Sequence, residues 1–222
     1  MIKHFLSYTL PLICFILCSN ASAQNAPPKQ DNKHEARLVE LIKLDNTIKL
    51  DIRYASENNF VGRKVYPEAR AFLQKPAARA LLRVHKKLKK LGLGLVIYDG
   101  YRPWTITKLF WEVTSEDKRK FVANPEKGSK HNRGCAVDLS IYDLKTGQPV
   151  AMPSGYDEFT ERASPYYTGG TDKERANRDL LRKFMENEGF TINANEWWHF
   201  DYKDWEEYAI YDIAFSDIGK IK

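Results

Sequence analysis

The stretch that constrains the chain most is Ser129 to Tyr142, SKHNRGCAVDLSIY. From Ala136 its side chains alternate. Val137, Leu139 and Ile141 fall on one face and Asp138, Ser140 and Tyr142 on the other, which predicts a strand with one apolar and one polar face. Asp138 therefore stands opposite the aliphatic side. The turn through Arg133 and Gly134 can swing His131 back beside it. An imidazole and a carboxylate on one polar face are two-thirds of a catalytic metal site. They are equally an ordinary hydrogen-bonded structural pair, so the rest of the chain has to decide.

Around that strand the pattern alternates between helix and strand. Residues 76–91 predict a helix, with Pro76 near its start, Gly92 past its end, and Leu81, Val84, Leu88 and Leu91 as a buried stripe. Residues 94–99 (GLVIYD) read as a buried strand and 104–113 as a second helix. Thr171 and Glu174 form a capping box for a third helix ending before Gly189. Residues 190–192 and 197–202 read as strands, 150–152 as a short strand, and 38–44 with 47–54 as a hairpin around Asp45-Asn46. Residues 153–170 have no period and many turn formers, the mark of a functional loop or lid. The order of elements predicts an α+β fold, a single domain with a central antiparallel sheet flanked by helices. At 222 residues, 43% of them hydrophobic, the chain is long enough for one sizeable core.

The N-terminus is a separate matter. Lys3 and His4 precede the apolar run 5–18, and Ala21-Ser22-Ala23 follows it, the layout of a secretory signal cleaved after Ala23. The run, broken by Ser7 and Pro11, is too short for a stable membrane span. Residues 24–36 are polar and hold two prolines, and they read as a disordered leader. Residues 37–222 are then the catalytic domain of an exported, periplasmic protein. Cys14 and Cys18 fall in the signal, so Cys135 stands alone and an internal disulfide is excluded from the mature chain. The net charge of +6 does not require nucleic acid. Lys86, Lys87, Lys89 and Lys90 gather at one helix end, where they suit the helix dipole and water.

Histidine arithmetic narrows the site. Of five histidines, His4 is in the signal, His34 in the leader and His85 on a lysine-rich helix, where it reads as surface or boundary packing. His131 and His199 remain, both in strand-and-turn contexts. A catalytic zinc takes three protein ligands and keeps one position open, and Asp138 is the natural third. Glu196, in Glu196-Trp197-Trp198-His199, suits a general base. It has the wrong parity to share a strand face with His199, so it must lie in the loop entering that strand, which Asn193-Ala194-Asn195 makes credible. Arg102 leaves the end of a buried strand in a turn stiffened by Pro103. A guanidinium there could stabilise a developing oxyanion by roughly 3–4 kcal/mol, or form a structural ion pair.

The three segments DGYRP, SKHNRGCAVDL and EWWH, in this order, resemble zinc D-alanyl-D-alanine dipeptidases of the VanX-like kind, peptidase family M15 in the D-Ala-D-Ala metallopeptidase superfamily. The likeness runs from about Leu38 to Tyr211. It implies the hedgehog and D,D-peptidase type of fold with a zinc site on the sheet. One zinc would be held by His131, Asp138 and His199, with Glu196 as base and Arg102 stabilising the tetrahedral intermediate. Tyr54 in DIRYASENNF, Ser129, and Asp157 in GYDEF match positions lining the dipeptide pocket, where Asp157 would meet the substrate ammonium. The partners implied are a small D-amino-acid dipeptide and peptidoglycan fragments, not nucleic acid. The rival readings are a D,D-carboxypeptidase that trims peptidoglycan stems and a non-catalytic wall-binding module, against which the intact Glu196 argues.

Overall fold

The computed structural model describes residues 25–31 and 33–220. The expected signal segment therefore lies outside the described residues. Among those described, no helix is long and apolar enough to cross a membrane.

The fold is α+β, built on a five-stranded sheet of order β2-β4-β5-β7-β6. Its strands are β2 (Lys49–Leu50), β4 (Leu93–Asp99), β5 (Ala136–Asp143), β6 (Phe190–Ile192) and β7 (His199–Tyr202). All its pairings are antiparallel except β2 with β4, which is parallel. The predicted hairpin over 38–54 does not form. Instead β1 (Leu38–Glu40) pairs antiparallel with the distant β3 (Phe72–Gln74), and 41–43 coil into a 3-10 turn. Leu41 is fully buried, and joining the β1–β3 ribbon to the core hides more apolar surface than a local hairpin would.

Three helices complete the fold: α1 (Lys75–Lys89), α2 (Trp104–Val113) and α3 (Asp172–Glu186). Helix α1 lays Ala77, Leu81, Val84, His85 and Leu88 into the core, where the helix packs against β4. Its lysines stay on the exposed side. His85 departs from expectation. It is fully buried, its Nδ1 accepts the Leu95 backbone N–H at 3.2 Å, and its Nε2 lies 2.8 Å from Thr47 Oγ1. Helix α3 opens with the predicted box, Thr171 and Glu174 each satisfying the other's backbone N–H.

Residues 150–152 form no strand; only the Val150 N–H reaches back, to the Ile141 carbonyl at 3.0 Å. Of the expected disordered leader, Gln30, Lys33 and His34 are bonded to the C-terminal segment. The His34 N–H donates to the Glu207 carbonyl at 2.8 Å, and Lys33 Nζ donates to the Glu206 carbonyl at 2.8 Å. The His34 ring packs edge-on against Tyr208. Strand pairing alone had no claim on these polar residues, but Tyr208 and Tyr211 offer them an aromatic wall and hydrogen bonds.

Central strand β5 is buried on both faces. Its aliphatic residues join the hydrophobic core, while Asp138 on the other face lines the cavity described below. In register, Asp138 sits directly opposite His199 on β7 and beside Asp99 on β4. A register shift between Ile97 and Asp99 bends the end of β4, the kind of irregularity that re-aims side chains beside sites.

Candidate metal and substrate site

Each member of the site is placed by a local rule. Asp138 and His199 are cross-strand partners, which brings their side chains together on one face. His131 sits in a single 3-10 turn, residues 131–133, that ends at Gly134 with φ 67°. A side chain at Gly134 would be strained there, and its Cβ would come within 2.5 Å of Leu38. That turn carries the chain from His131 into β5. Trp197 and Trp198 belong to a turn rather than to the predicted strand, which begins only at His199. Glu196 is thus freed from strand parity and faces the same cavity as His199, as its expected loop position required.

Three side-chain atoms converge. His131 Nε2 lies 3.2 Å from His199 Nδ1 and 3.4 Å from Asp138 Oδ1, and His199 Nδ1 lies 3.0 Å from Asp138 Oδ1. In a tetrahedral zinc site with bonds of 2.0–2.2 Å, adjacent donor atoms stand about 3.3 Å apart. The far sides of both rings are fixed by acceptors. His131 Nδ1 is 2.7 Å from the Gly100 carbonyl and His199 Nε2 is 2.9 Å from Asp201 Oδ1. Neither oxygen can donate, so both outer nitrogens carry hydrogen, and each ring turns its other nitrogen, the one a metal would take, inward. Asp138 Oδ1 is buried with no properly directed donor of its own. Two ring nitrogens and an orphaned carboxylate oxygen around one point fit a divalent cation. Among the described residues, His131, Asp138 and His199 are the group of side chains placed to hold one.

The electrostatics agree. Burial opposes charge throughout the site. Even so, the imidazoles of His131 and His199 hold Asp138 well below the usual carboxylate range. Hydrogen bonds to Asp138 and Asp201 hold His199 well above the ordinary histidine value. A metal ion bound there would displace that proton, so its affinity falls as pH falls.

Glu196 flanks the cluster, with an oxygen 3.9 Å from His199 Nδ1 and 14% of its side chain exposed. Burial pushes its carboxyl up to about 7, the His199 charge pulling the other way. Asn193 Nδ2 donates to it at 3.3 Å. Arg102 is buried and donates through Nε and Nη2 to Asp99 Oδ2 at 3.0 and 2.6 Å. Its plane lies over Phe110, 4.7 Å from the ring centre, which fixes the guanidinium in direction.

On the far side of the cavity Tyr54 donates to Asp157 Oδ2 at 2.9 Å. Burial, then the charge of Asp138, raises the Asp157 carboxyl well above its ordinary range. Ser129 Oγ accepts the His131 N–H at 3.2 Å. All eight residues expected from the sequence, His131, Asp138, His199, Glu196, Arg102, Tyr54, Ser129 and Asp157, line one cavity of about 280 Å³.

Several partners were not anticipated. Asp201 orients His199 and is itself held by Lys130 Nζ at 2.6 Å. Its position two residues after His199 on a strand puts it on the same face, a signal the sequence does carry. Asp99, three residues before Arg102, carries a similar signal. Tyr156 donates to Asp138 Oδ2 at 2.9 Å, and nothing in its aperiodic loop announces this.

Two imidazoles and a carboxylate converging beside a second carboxylate in one small, half-open cavity are the side chains a metallopeptidase needs. The chain belongs to the D-ala-D-ala dipeptidase family, Peptidase_M15, whose model matches residues 34–221. It is 33% identical over 179 residues to the D-alanyl-D-alanine dipeptidase of Escherichia coli, covering 81% of this chain and 91% of that one. It is 36% identical over 171 residues to the enzyme of the same name from Enterococcus faecalis, covering 69% and 85%. A third relative of that name, from Enterococcus faecium, is 34% identical over 175 residues, covering 71% and 87%.

Proposed function

We propose that this chain hydrolyses free D-alanyl-D-alanine, using one zinc ion per chain held by His131, Asp138 and His199. The observation that carries this is the convergence of His131 Nε2, His199 Nδ1 and the unpartnered Asp138 Oδ1 beside half-buried Glu196, in a chain of this family. When bound, zinc supplies Lewis-acid polarisation of the scissile carbonyl and acidifies water. Glu196 takes the proton of the attacking water and delivers it to the leaving amine, and burial keeps its carboxyl near the range where both transfers are easy. Arg102, braced by Asp99 and Phe110, turns a preset donor toward the oxyanion that develops at the carbonyl. Asp157, oriented by Tyr54, binds the substrate ammonium, and Ser129 shapes the wall beside His131.

This assignment explains a preference for a free dipeptide. A carboxylate held in so dry a place gains most from a cationic partner, and an acylated amine leaves it unpaired, which costs at least about 1–3 kcal/mol. Longer stem peptides carry no free amine beside the scissile bond and are spared. In this reading residues 1–23 direct export and are removed after Ala23, so the enzyme meets dipeptide released from peptidoglycan fragments in the periplasm. The test is turnover of D-Ala-D-Ala against its N-acetyl derivative and a D-Ala-D-Ala-terminated pentapeptide, with and without chelator. Chelator-sensitive hydrolysis of the free dipeptide alone is expected; equal turnover of all three overturns the assignment.

A further inference from the structure

We propose that Tyr156 is a positioning residue that ties the metal-ligand carboxylate Asp138 to the amine-binding carboxylate Asp157, so that one loop sets both metal affinity and dipeptide orientation. The proposal rests on the reading of the site given above. The two carboxylates are joined by a line of hydroxyls. Tyr54 donates to Asp157 Oδ2 at 2.9 Å, Tyr156 donates to Asp138 Oδ2 at 2.9 Å, and the two phenol oxygens stand 3.3 Å apart. Each phenol has one hydrogen. When Tyr156 spends its hydrogen on Oδ2, Asp138 is held with Oδ1 turned to the two imidazoles, the oxygen that has no donor of its own.

The backbone is bent to make this possible. Asp157 has φ 56°, and among the described residues it is the one non-glycine in the left-handed region. In extended chain, neighbouring side chains point to opposite sides; with the left-handed step Asp157 lines the cavity while the Tyr156 hydroxyl still reaches Asp138 behind its wall. Such conformations cost energy and persist only where surrounding contacts impose them. Those contacts are present. The Tyr156 ring stacks on Tyr98 with centroids 4.6 Å apart and meets Trp198 edge-on at 5.5 Å. Arg162 clamps the start of the loop by donating twice to the Pro153 carbonyl, at 3.0 and 2.7 Å. Trp197 Nε1 donates to Ser154 Oγ at 2.8 Å. The phenol is thus delivered to Asp138 by a segment that also carries Asp157.

The experiment is zinc affinity measured by chelator competition without substrate, on the full chain. Tyr156→Phe keeps the ring stack and removes only the hydroxyl. It is expected to weaken zinc binding about 10–100-fold, the usual effect of losing a hydrogen bond to a metal ligand, and excess zinc should restore much of its kcat. Tyr54→Phe, which leaves the bond to Asp138 intact, should hold zinc within about twofold of the parent and instead raise KM for the free dipeptide. Should Tyr156→Phe not fold, Tyr156→Met fills the space with an adaptable apolar chain and makes the same test. Unchanged zinc affinity in the folded Tyr156 variant, or an equal loss in Tyr54→Phe, overturns the proposal. A parent that binds zinc but leaves D-Ala-D-Ala intact overturns the substrate assignment alone, since the affinity comparison needs no turnover.

Discussion

Asp157→Asn isolates the charge that is proposed to read the substrate amine. Asparagine has the size of aspartate and retains an oxygen that can accept the Tyr54 hydroxyl. It is also among the few residues that tolerate the left-handed backbone of this position, φ 56°. Alanine would mix a backbone penalty into the result. What Asn removes is a half-buried carboxyl that takes up negative charge when an ammonium arrives beside it. Breaking a buried charge pair by removing one partner costs about 3–5 kcal/mol, and the amide dipole recovers part of that. A net loss of about 2–4 kcal/mol corresponds to roughly a 30- to 1,000-fold fall in kcat/KM for D-Ala-D-Ala. The same change should barely affect the N-acetyl derivative, which has no ammonium to lose, so the ratio between the two substrates collapses. The fold should not suffer, because the carboxyl is already disfavoured by burial. The assay is steady-state kinetics on both substrates at saturating zinc. A fall below about fivefold on the free dipeptide, or an equal fall on both, would refute the role given to Asp157.

Arg102→Lys cannot reproduce the two bonds to Asp99 and should lower kcat by about 10²–10³ with little change in KM; a loss confined to KM would make it a ground-state contact. Buried His85 has a pKa held below the ordinary value by burial, so the unfolded chain binds its proton first. Its contribution to stability is complete above about pH 6.5 and is lost as pH falls through that value. The stability gap between the parent and His85→Gln should therefore narrow from pH 7.5 toward pH 5.5 in denaturant titrations, and a gap independent of pH would contradict this. Leu81, fully buried between α1 and the sheet, should cost about 2–5 kcal/mol on truncation to alanine, read from the urea midpoint.

The sequence made the site legible wherever a short-range rule controlled it. Period-two alternation placed Asp138 on the polar face of β5, one glycine accounted for the return of His131, and loop formers before His199 freed Glu196 from strand parity. The same rules failed where distant chain decided. The pairing of β1 with β3 spans some thirty residues of irregular chain, so residues 38–54 looked like a hairpin. His85 shares the stripe of Leu81 and Leu88 at helical spacing, yet the lysines around it masked its burial. Tyr156 was beyond reach for a different reason: its direction depends on the positive φ of Asp157, imposed by the Tyr98 stack and the Arg162 clamp, and no local pattern encodes it.

The central claim is that His131, Asp138 and His199 together hold one catalytic zinc. Its most direct test is zinc content per folded chain, measured after dialysis against a zinc buffer, for the parent, the three single alanine variants and Glu196→Gln. The account predicts one zinc in the parent and in Glu196→Gln, no turnover by Glu196→Gln, and a large loss of zinc in each ligand variant. Full retention of zinc by any of the three ligand variants, or none in the parent, would contradict it.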